Sequence, residues 1–179
     1  MSEDTELCKL AVHYMTDKAP RTGHAYTPFY HDLLKDRRSA KKVLEIGIDL
    51  GRSLFMWRDY FPDATIYGLD WDASRLINEG RIQSYLCNQG DVWQLESAVT
   101  WAGSNFDLIL DDGSHDPVHQ VLTALILVPI LAPNGIYIIE DMMRPDLVAS
   151  QLPYKCEIVP FDIVRDPFSN VIVIRGGAL

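Results

Sequence analysis

The sequence predicts an α/β fold, a doubly wound and mostly parallel sheet preceded by helices. Three observations carry that reading. Short strand-like and helix-like stretches alternate along the chain. Several of the strands, such as Leu108-Ile109-Leu110 and Ile136-Tyr137-Ile138-Ile139, are nearly all apolar, as a sheet covered on both faces requires. Nearly every strand also ends in an acid.

The first forty residues read as two helices packed ahead of the sheet. Lys42 to Gly47 is the first strand, followed by a helix near Arg52 to Phe61. Ala64 to Leu69 and Ile82 to Cys87 are the second and third strands. A helix from Val92 to Trp101 leads into the strand Phe106 to Asp112. Pro117 to Leu131 is a helix, opened by Asp116 as N-cap with Pro117 in its first turn. Ile136 to Glu140 is a further strand, and Tyr154 to Pro160 with Asn170 to Arg175 form an antiparallel pair at the end. No repeat, linker or low-complexity segment interrupts the pattern. A length of 179 residues suits one domain over 1–179.

Composition narrows the partners. The chain is 47% hydrophobic and 23% charged, with a formal net charge of −9, an ordinary globular balance. Nonspecific nucleic-acid binding needs a basic surface that displaces counterions, so no nucleic-acid partner is expected. The one basic run, Arg37-Arg38-Ser39-Ala40-Lys41-Lys42, reads as a solvated loop before a strand. The longest apolar stretch, Val121 to Ala132, contains Pro129 and falls short of the roughly 20 residues that span a bilayer. It reads as a buried helix and no membrane partner is expected; whether this helix is all core or partly a homo-oligomer face stays open. Cys8, Cys87 and Cys156 form no CxxC pair, so neither a disulfide framework nor a zinc site is indicated. A reducing, cytoplasmic setting is the default, and the acidic start Met1-Ser2-Glu3-Asp4 is unlike a secretory signal.

Ligands of doubly wound sheets bind beyond the carboxyl ends of the strands. The first strand end reads Val43-Leu44-Glu45-Ile46-Gly47-Ile48-Asp49-Leu50-Gly51, and Asp70 closes the second strand 19 residues after Gly51, where a ribose diol needs an acceptor. A dinucleotide site wants G-x-G-x-x-G. Here position 49 is Asp, a carboxylate expected to repel a pyrophosphate. S-adenosylmethionine carries no phosphate and has a cationic sulfonium and amine, so it suits the turn better. After the third strand, Asp91 stands either where an adenine amino group would sit or simply as the N-cap of the following helix.

The fourth strand runs out as Asp111-Asp112-Gly113-Ser114-His115 and the fifth as Ile139-Glu140-Asp141. Neighbouring parallel strands bring these ends together. Asp112, Glu140 and Asp141 would then converge and repel one another unless protonated or bound to a cation. All-oxygen ligation points to a hard ion such as Mg²⁺, or to Mn²⁺ or Ca²⁺. Such an ion could hold a substrate hydroxyl, with His115 placed to accept its proton. His119 reads as a helix-surface or packing histidine.

These residues resemble the metal-dependent sugar O-methyltransferases of macrolide antibiotic biosynthesis, the mycinamicin type, and their cephalosporin-pathway relatives. The matching elements are Thr16-Asp17-Lys18 with His24-x-Tyr26, Leu44-Glu45-Ile46-Gly47, Ser53-Leu54-x-Met56-Trp57-x-Asp59-Tyr60-Phe61-Pro62, Gly68-x-Asp70, Asp111 to His115, and Ile139-Glu140-Asp141. The resemblance implies a Rossmann-like, seven-stranded class I S-adenosylmethionine-dependent methyltransferase with an antiparallel C-terminal strand. It implies Mg²⁺ on Asp112, Glu140 and Asp141, His115 as base beside Asp112, and a small-molecule hydroxyl, sugar-like or diol, as acceptor. The expected cofactor contacts are Glu45, Gly47, Gly51, Ser53, Asp70, Asp91 and Asp111. Residues 1–40, around Tyr14, Thr16-Asp17-Lys18 and Tyr26, resemble a lid over the cofactor, although Tyr14 and Tyr26 suit plain packing equally. The family often shows Asp-Gln where this chain has Cys87-Asn88-Gln89. The chain is also shorter than some relatives, so a more open site, or one completed by a partner subunit, is expected. A non-catalytic S-adenosylmethionine-binding regulatory module and a nucleotide-dependent dehydrogenase are the rival readings.

Overall fold

Five strands run parallel through the centre of the molecule: β1 (Lys42–Ile46), β2 (Thr65–Asp70), β3 (Ile82–Leu86), β4 (Phe106–Asp111) and β5 (Leu131–Ile139). They are seen in a computed structural model that describes residues 4–20, 23–161 and 169–177. Two more strands, β6 (Cys156–Pro160) and β7 (Asn170–Arg175), complete a seven-stranded sheet in the order β3-β2-β1-β4-β5-β7-β6. Only β7 is reversed, antiparallel to both β5 and β6.

The all-apolar strands have the physical cause expected of them. Successive side chains leave opposite faces of a strand, and both faces here are covered. Leu108, Leu110, Ile136 and Ile138 join one core with residues of α1 (Glu6–Tyr14), α2 (Tyr26–Leu34) and α3 (Arg52–Tyr60). Ile109, Tyr137 and Ile139 join the other with residues of α4 (Val92–Ala102), α5 (Pro117–Leu127) and α6 (Pro145–Gln151). Trp57, Tyr60 and Phe61 at the end of α3 are fully buried, so the apolar face of that helix is pinned to the sheet. No described helix is long and apolar enough to cross a membrane.

Three boundaries differ from the expectation. The helix from Pro117 stops at Leu127, and Val128–Ile130 form a 3-10 turn, because Pro129 has no N–H to continue the ladder. Strand β5 begins at Leu131, earlier than expected, and its pairing with β4 shifts register between Phe106 and Leu108. Helix α6 was not anticipated; it spans seven residues, too few to show a helical period.

The strand order reverses between β1 and β4. A crevice must open there, because the connections after these two strands leave on opposite faces. Gly47, Asp112 and the residues that follow them stand at its floor.

Candidate active site

A cavity of about 520 Å³ occupies that crevice, lined by residues after β1, β2, β3 and β4 and by Met15 to Lys18. Its floor is the glycine turn. Gly47 has φ +90°, and a Cβ there would stand 2.1 Å from the Asp112 carbonyl oxygen, so only glycine allows β1 and β4 to end this close together. Asp49 and Gly51 also have positive φ, at 45° and 72°. Asp70 braces the turn from the next strand: one carboxylate oxygen accepts from Ile48 N at 2.9 Å and Asp49 N at 3.3 Å, and the other accepts from Asp72 N at 2.9 Å. Asp49 pairs with Arg75 at 3.2 Å. Its charge is therefore compensated, and the expected repulsion of a pyrophosphate loses force.

Of the expected cofactor contacts, Gly47, Ser53 and Asp70 line the cavity. Gly51 closes the turn just behind, Gly51 N donating to Ile48 O at 2.7 Å. Glu45 lies fully buried beneath it, 3.5 Å from Lys18 Nζ. Burial pushes the Glu45 acid up to about 7 against the pull of Lys18. Asp91 serves as the N-cap of α4, accepting from Trp93 N at 2.9 Å and from Gln94 Nε2 at 2.9 Å. The cavity wall beside it is made by Asn88 and Gln89 instead. Asp111 is buried behind that wall, accepting from Gln89 Nε2 at 2.9 Å and Tyr137 OH at 3.1 Å. Gln89 Oε1 in turn accepts from Ser114 N at 2.6 Å, so Asp111 holds the loop after β4 through Gln89.

His119, read from the sequence as a surface or packing residue, lines the cavity. Its Nδ1 lies 2.9 Å from Ser114 Oγ, and its Nε2 sits where a Gly90 side chain would begin, 2.6 Å from an added Cβ. The sequence signal was the pairing of a glycine after β3 with a histidine one turn into α5, legible only once those elements are known to meet.

The acids after β4 and β5 do converge. His115 Nε2 lies 3.1 Å from Asp112 Oδ1 and 3.9 Å from Asp141 Oδ2. Asp112, His115 and Asp141 each offer an atom within 4.8 Å of the others. Both His115 and Asp141 hold left-handed backbone, φ 56° and 51°, a strained conformation that clusters at functional sites. Glu140 is brought to the same place but turned inward: its Oε2 accepts from Lys18 Nζ at 2.7 Å, and its side chain also faces the buried Tyr30 hydroxyl.

Charge explains the protonation of the cluster. Burial pushes Glu140 well above the carboxylate range although Lys18 opposes it. Burial and the Asp112 charge raise Asp141. Asp112 is half-buried, and Lys18 and His115 outweigh the cost of that and hold it below its ordinary value. The hydrogen bond to Asp112 lifts His115 above an ordinary histidine. Glu45, Asp112 and Glu140 together face one buried ammonium, with Asp141 beside His24 and His115, so acids outnumber the buried cation. The outward carboxylates of Asp112 and Asp141, with Glu140 beside them, suit a hard divalent cation.

The N-terminal segment, expected to resemble a lid over the cofactor, lines the cavity with Met15 to Lys18 and also supplies groups to the acid cluster. Lys18 is 1% exposed, Tyr26 OH donates to Asp141 Oδ1, and His24 Nε2 lies 3.7 Å from Asp141 Oδ2 with its ring stacked on Tyr26. All three fall in the Thr16-Asp17-Lys18 and His24-x-Tyr26 motifs, which are the only sequence signal for them. Tyr14 OH donates to Asp59, which suits packing rather than cofactor contact.

This fold with this strand-end chemistry resembles that of class I S-adenosylmethionine-dependent O-methyltransferases. Sequence comparison narrows the resemblance to the macrolide- and tetracenomycin-sugar type. The chain is 36% identical to mycinamicin VI 2''-O-methyltransferase of Micromonospora griseorubida over 151 residues, 79% of this chain and 37% of the relative. It is 32% identical to demethylmacrocin O-methyltransferase of Streptomyces fradiae over 177 residues, 92% of this chain and 44% of the relative. A solved mycinamycin-pathway methyltransferase in complex with Mg and SAH superposes with a TM-score of 0.78 at 27% identity, covering 96% of this chain and 55% of that one. The chain thus spans less than half the length of these curated relatives. No known protein-family profile matches it.

Proposed function

We propose that the chain is the methyl-transfer domain of an S-adenosylmethionine- and Mg²⁺-dependent O-methyltransferase acting on a hydroxyl of a sugar-like or diol small molecule. One observation carries the reading. Asp112 belongs to both halves of the site: it lines the cavity behind the glycine turn and is also the hinge of the acid–histidine cluster. A methyl donor in the cavity and an acceptor at the cluster would therefore meet across one residue.

When bound, S-adenosylmethionine supplies the electrophilic methyl group and the divalent cation lowers the pKa of an acceptor hydroxyl. The chain's own residues do the rest. Gly47, Ser53 and Asp70 shape the donor's end of the cavity, while Asn88, Gln89 and His119 form the wall suited to the adenine. Asp112, Glu140 and Asp141 are the residues that would hold the cation. His115, held to Asp112 through its Nε2–H, would take the acceptor's proton on its other ring nitrogen. Holding the two substrates in line accounts for much of the acceleration. The relatives' names support the acceptor class: one is named for a mycinamicin and another for a rhamnosyl tetracenomycin.

Calorimetry with S-adenosylhomocysteine and with NAD⁺, followed by methyl transfer from labelled donor to diols and glycosides with and without Mg²⁺, tests the proposal. The nucleoside of the methyl donor is expected to bind and NAD⁺ to fail. His115→Ala should keep S-adenosylhomocysteine binding and lose about 10²–10⁴-fold in turnover. Full turnover in excess chelator would remove the metal from the proposal. Absence of S-adenosylhomocysteine binding would overturn it.

A further inference from the structure

Lys18 is a lysine where an ion would be expected. Its ammonium donates to Asp112 Oδ2 at 2.5 Å and Glu140 Oε2 at 2.7 Å, and lies 3.5 Å from Glu45 Oε1. The side chain is 2% exposed. An unpaired ammonium at that depth would lose its proton, and the buried Glu45 and Glu140 with the half-buried Asp112 would repel one another without it. The backbone holds it in place: the Lys18 carbonyl accepts from Tyr26 N at 3.0 Å and Thr27 N at 3.1 Å, closing the chain onto the start of α2. The same closure brings the Tyr26 hydroxyl to Asp141.

Asp112 is divided by this arrangement. Its Oδ2 faces inward to Lys18, while its Oδ1 faces outward to His115 and the Asp141 side. We propose that Lys18 is a resident cation of the acid site, a positioning residue that fills its inner side, holds Asp112 and Glu140 together and lowers the site's affinity for a divalent ion. The proposal rests on the reading that this site takes a divalent cation. A fixed positive charge beside the ion weakens its binding while letting the acids fold together before it arrives. The metal then becomes exchangeable rather than a condition of folding.

Mn²⁺ is the probe, read by titration calorimetry and by thermal unfolding with and without the ion. Lys18→Met keeps the length of the side chain and removes its charge. It is expected to unfold at a lower temperature than the wild type in metal-free buffer, to gain more from Mn²⁺, and to bind it on the order of tenfold more tightly. Lys18→Met with Glu45→Gln removes one buried acid together with the ammonium, and is expected to return Mn²⁺ affinity to near the wild-type value. Equal affinity in wild type and Lys18→Met, or weaker binding in the variant, overturns the resident cation and leaves the proposed function standing. No Mn²⁺ binding by the wild type overturns the reading beneath it instead. If Lys18→Met does not fold without metal, its folding on Mn²⁺ addition or the folding of the double variant supports the proposal. Failure of both overturns it.

Discussion

Replacing Asp111 by asparagine isolates the cost of keeping a carboxylate behind the cofactor wall. Asp111 is 1% exposed. Burial drives its pKa from 3.8 up to about 6, although hydrogen bonds from Gln89, Tyr137 and the Gly113 backbone pull the other way. The folded protein therefore holds a proton there that the unfolded chain releases at lower pH. Stability from this group is greatest below about pH 4, falls as pH rises through the window between 3.8 and about 6, and is lowest above it. A gap of about two pH units amounts to about 3 kcal/mol. Asparagine has nearly the same volume and no charge to bury. Its oxygen can still accept from Gln89, and the Tyr137 hydroxyl can turn to accept from its amide. One weakened hydrogen bond costs about 1 kcal/mol. The variant should thus be about 1 kcal/mol less stable than the wild type near pH 4 and about 2 kcal/mol more stable at pH 7 to 8. Urea unfolding of both proteins across that range reads the difference directly, and groups common to both cancel. Stability curves that run parallel with pH would show that Gln89 and Tyr137 satisfy the ionised acid fully, and the burial argument would fail.

Other consequences are sharper in direction than in size. Gly47→Ala combines a φ of +90° with a Cβ 2.1 Å from the Asp112 carbonyl oxygen; it should cost roughly 3 kcal/mol or more in thermal unfolding and abolish S-adenosylhomocysteine binding. Near-wild-type stability would mean that β1 and β4 can separate without loss. Asp91→Ala should cost about 1 kcal/mol as a lost N-cap and leave calorimetric affinity for S-adenosylhomocysteine unchanged; a tenfold loss, about 1.4 kcal/mol, would place Asp91 on the ligand instead. His119→Ala should weaken S-adenosylhomocysteine about tenfold and leave Mn²⁺ binding unaltered, because His119 touches Ser114 and the cavity but none of the acids. Unchanged affinity would return it to a packing role.

The fold was legible in the sequence where burial is two-sided. Leu108-Ile109-Leu110 can be apolar throughout only if helices cover both faces, and helices do. It was less legible where one residue overrides a pattern. Pro129 ends α5 inside an unbroken apolar run, and the Pro133-Asn134-Gly135 segment in β5 carries turn residues that argue against the strand they occupy. They fall in the register shift between Leu131 and Ile136, held by the paired residues on either side, a tertiary effect that local propensity cannot register.

The site was legible in its anions and not in its cation. An acid at the end of a parallel strand announces itself, because sheet topology alone brings such ends together; Asp112, Glu140 and Asp141 are found this way. A lysine in an N-terminal loop announces solvent, since almost every lysine lies in it. Lys18 is buried only because Glu45, Asp112 and Glu140, which lie 27, 94 and 122 residues further along the chain, converge on a single point. Each acid then makes the lysine's burial tolerable, and the lysine makes the acids' proximity tolerable. Neither half of that balance exists in any local stretch of sequence. This also changes the meaning of the acid cluster: repulsion among carboxylates is no longer by itself an argument for a metal, because part of it is already neutralised from within. What argues for an ion is the remainder, the outward Asp112 and Asp141 carboxylates beside His115 and the excess of acids over the one buried lysine.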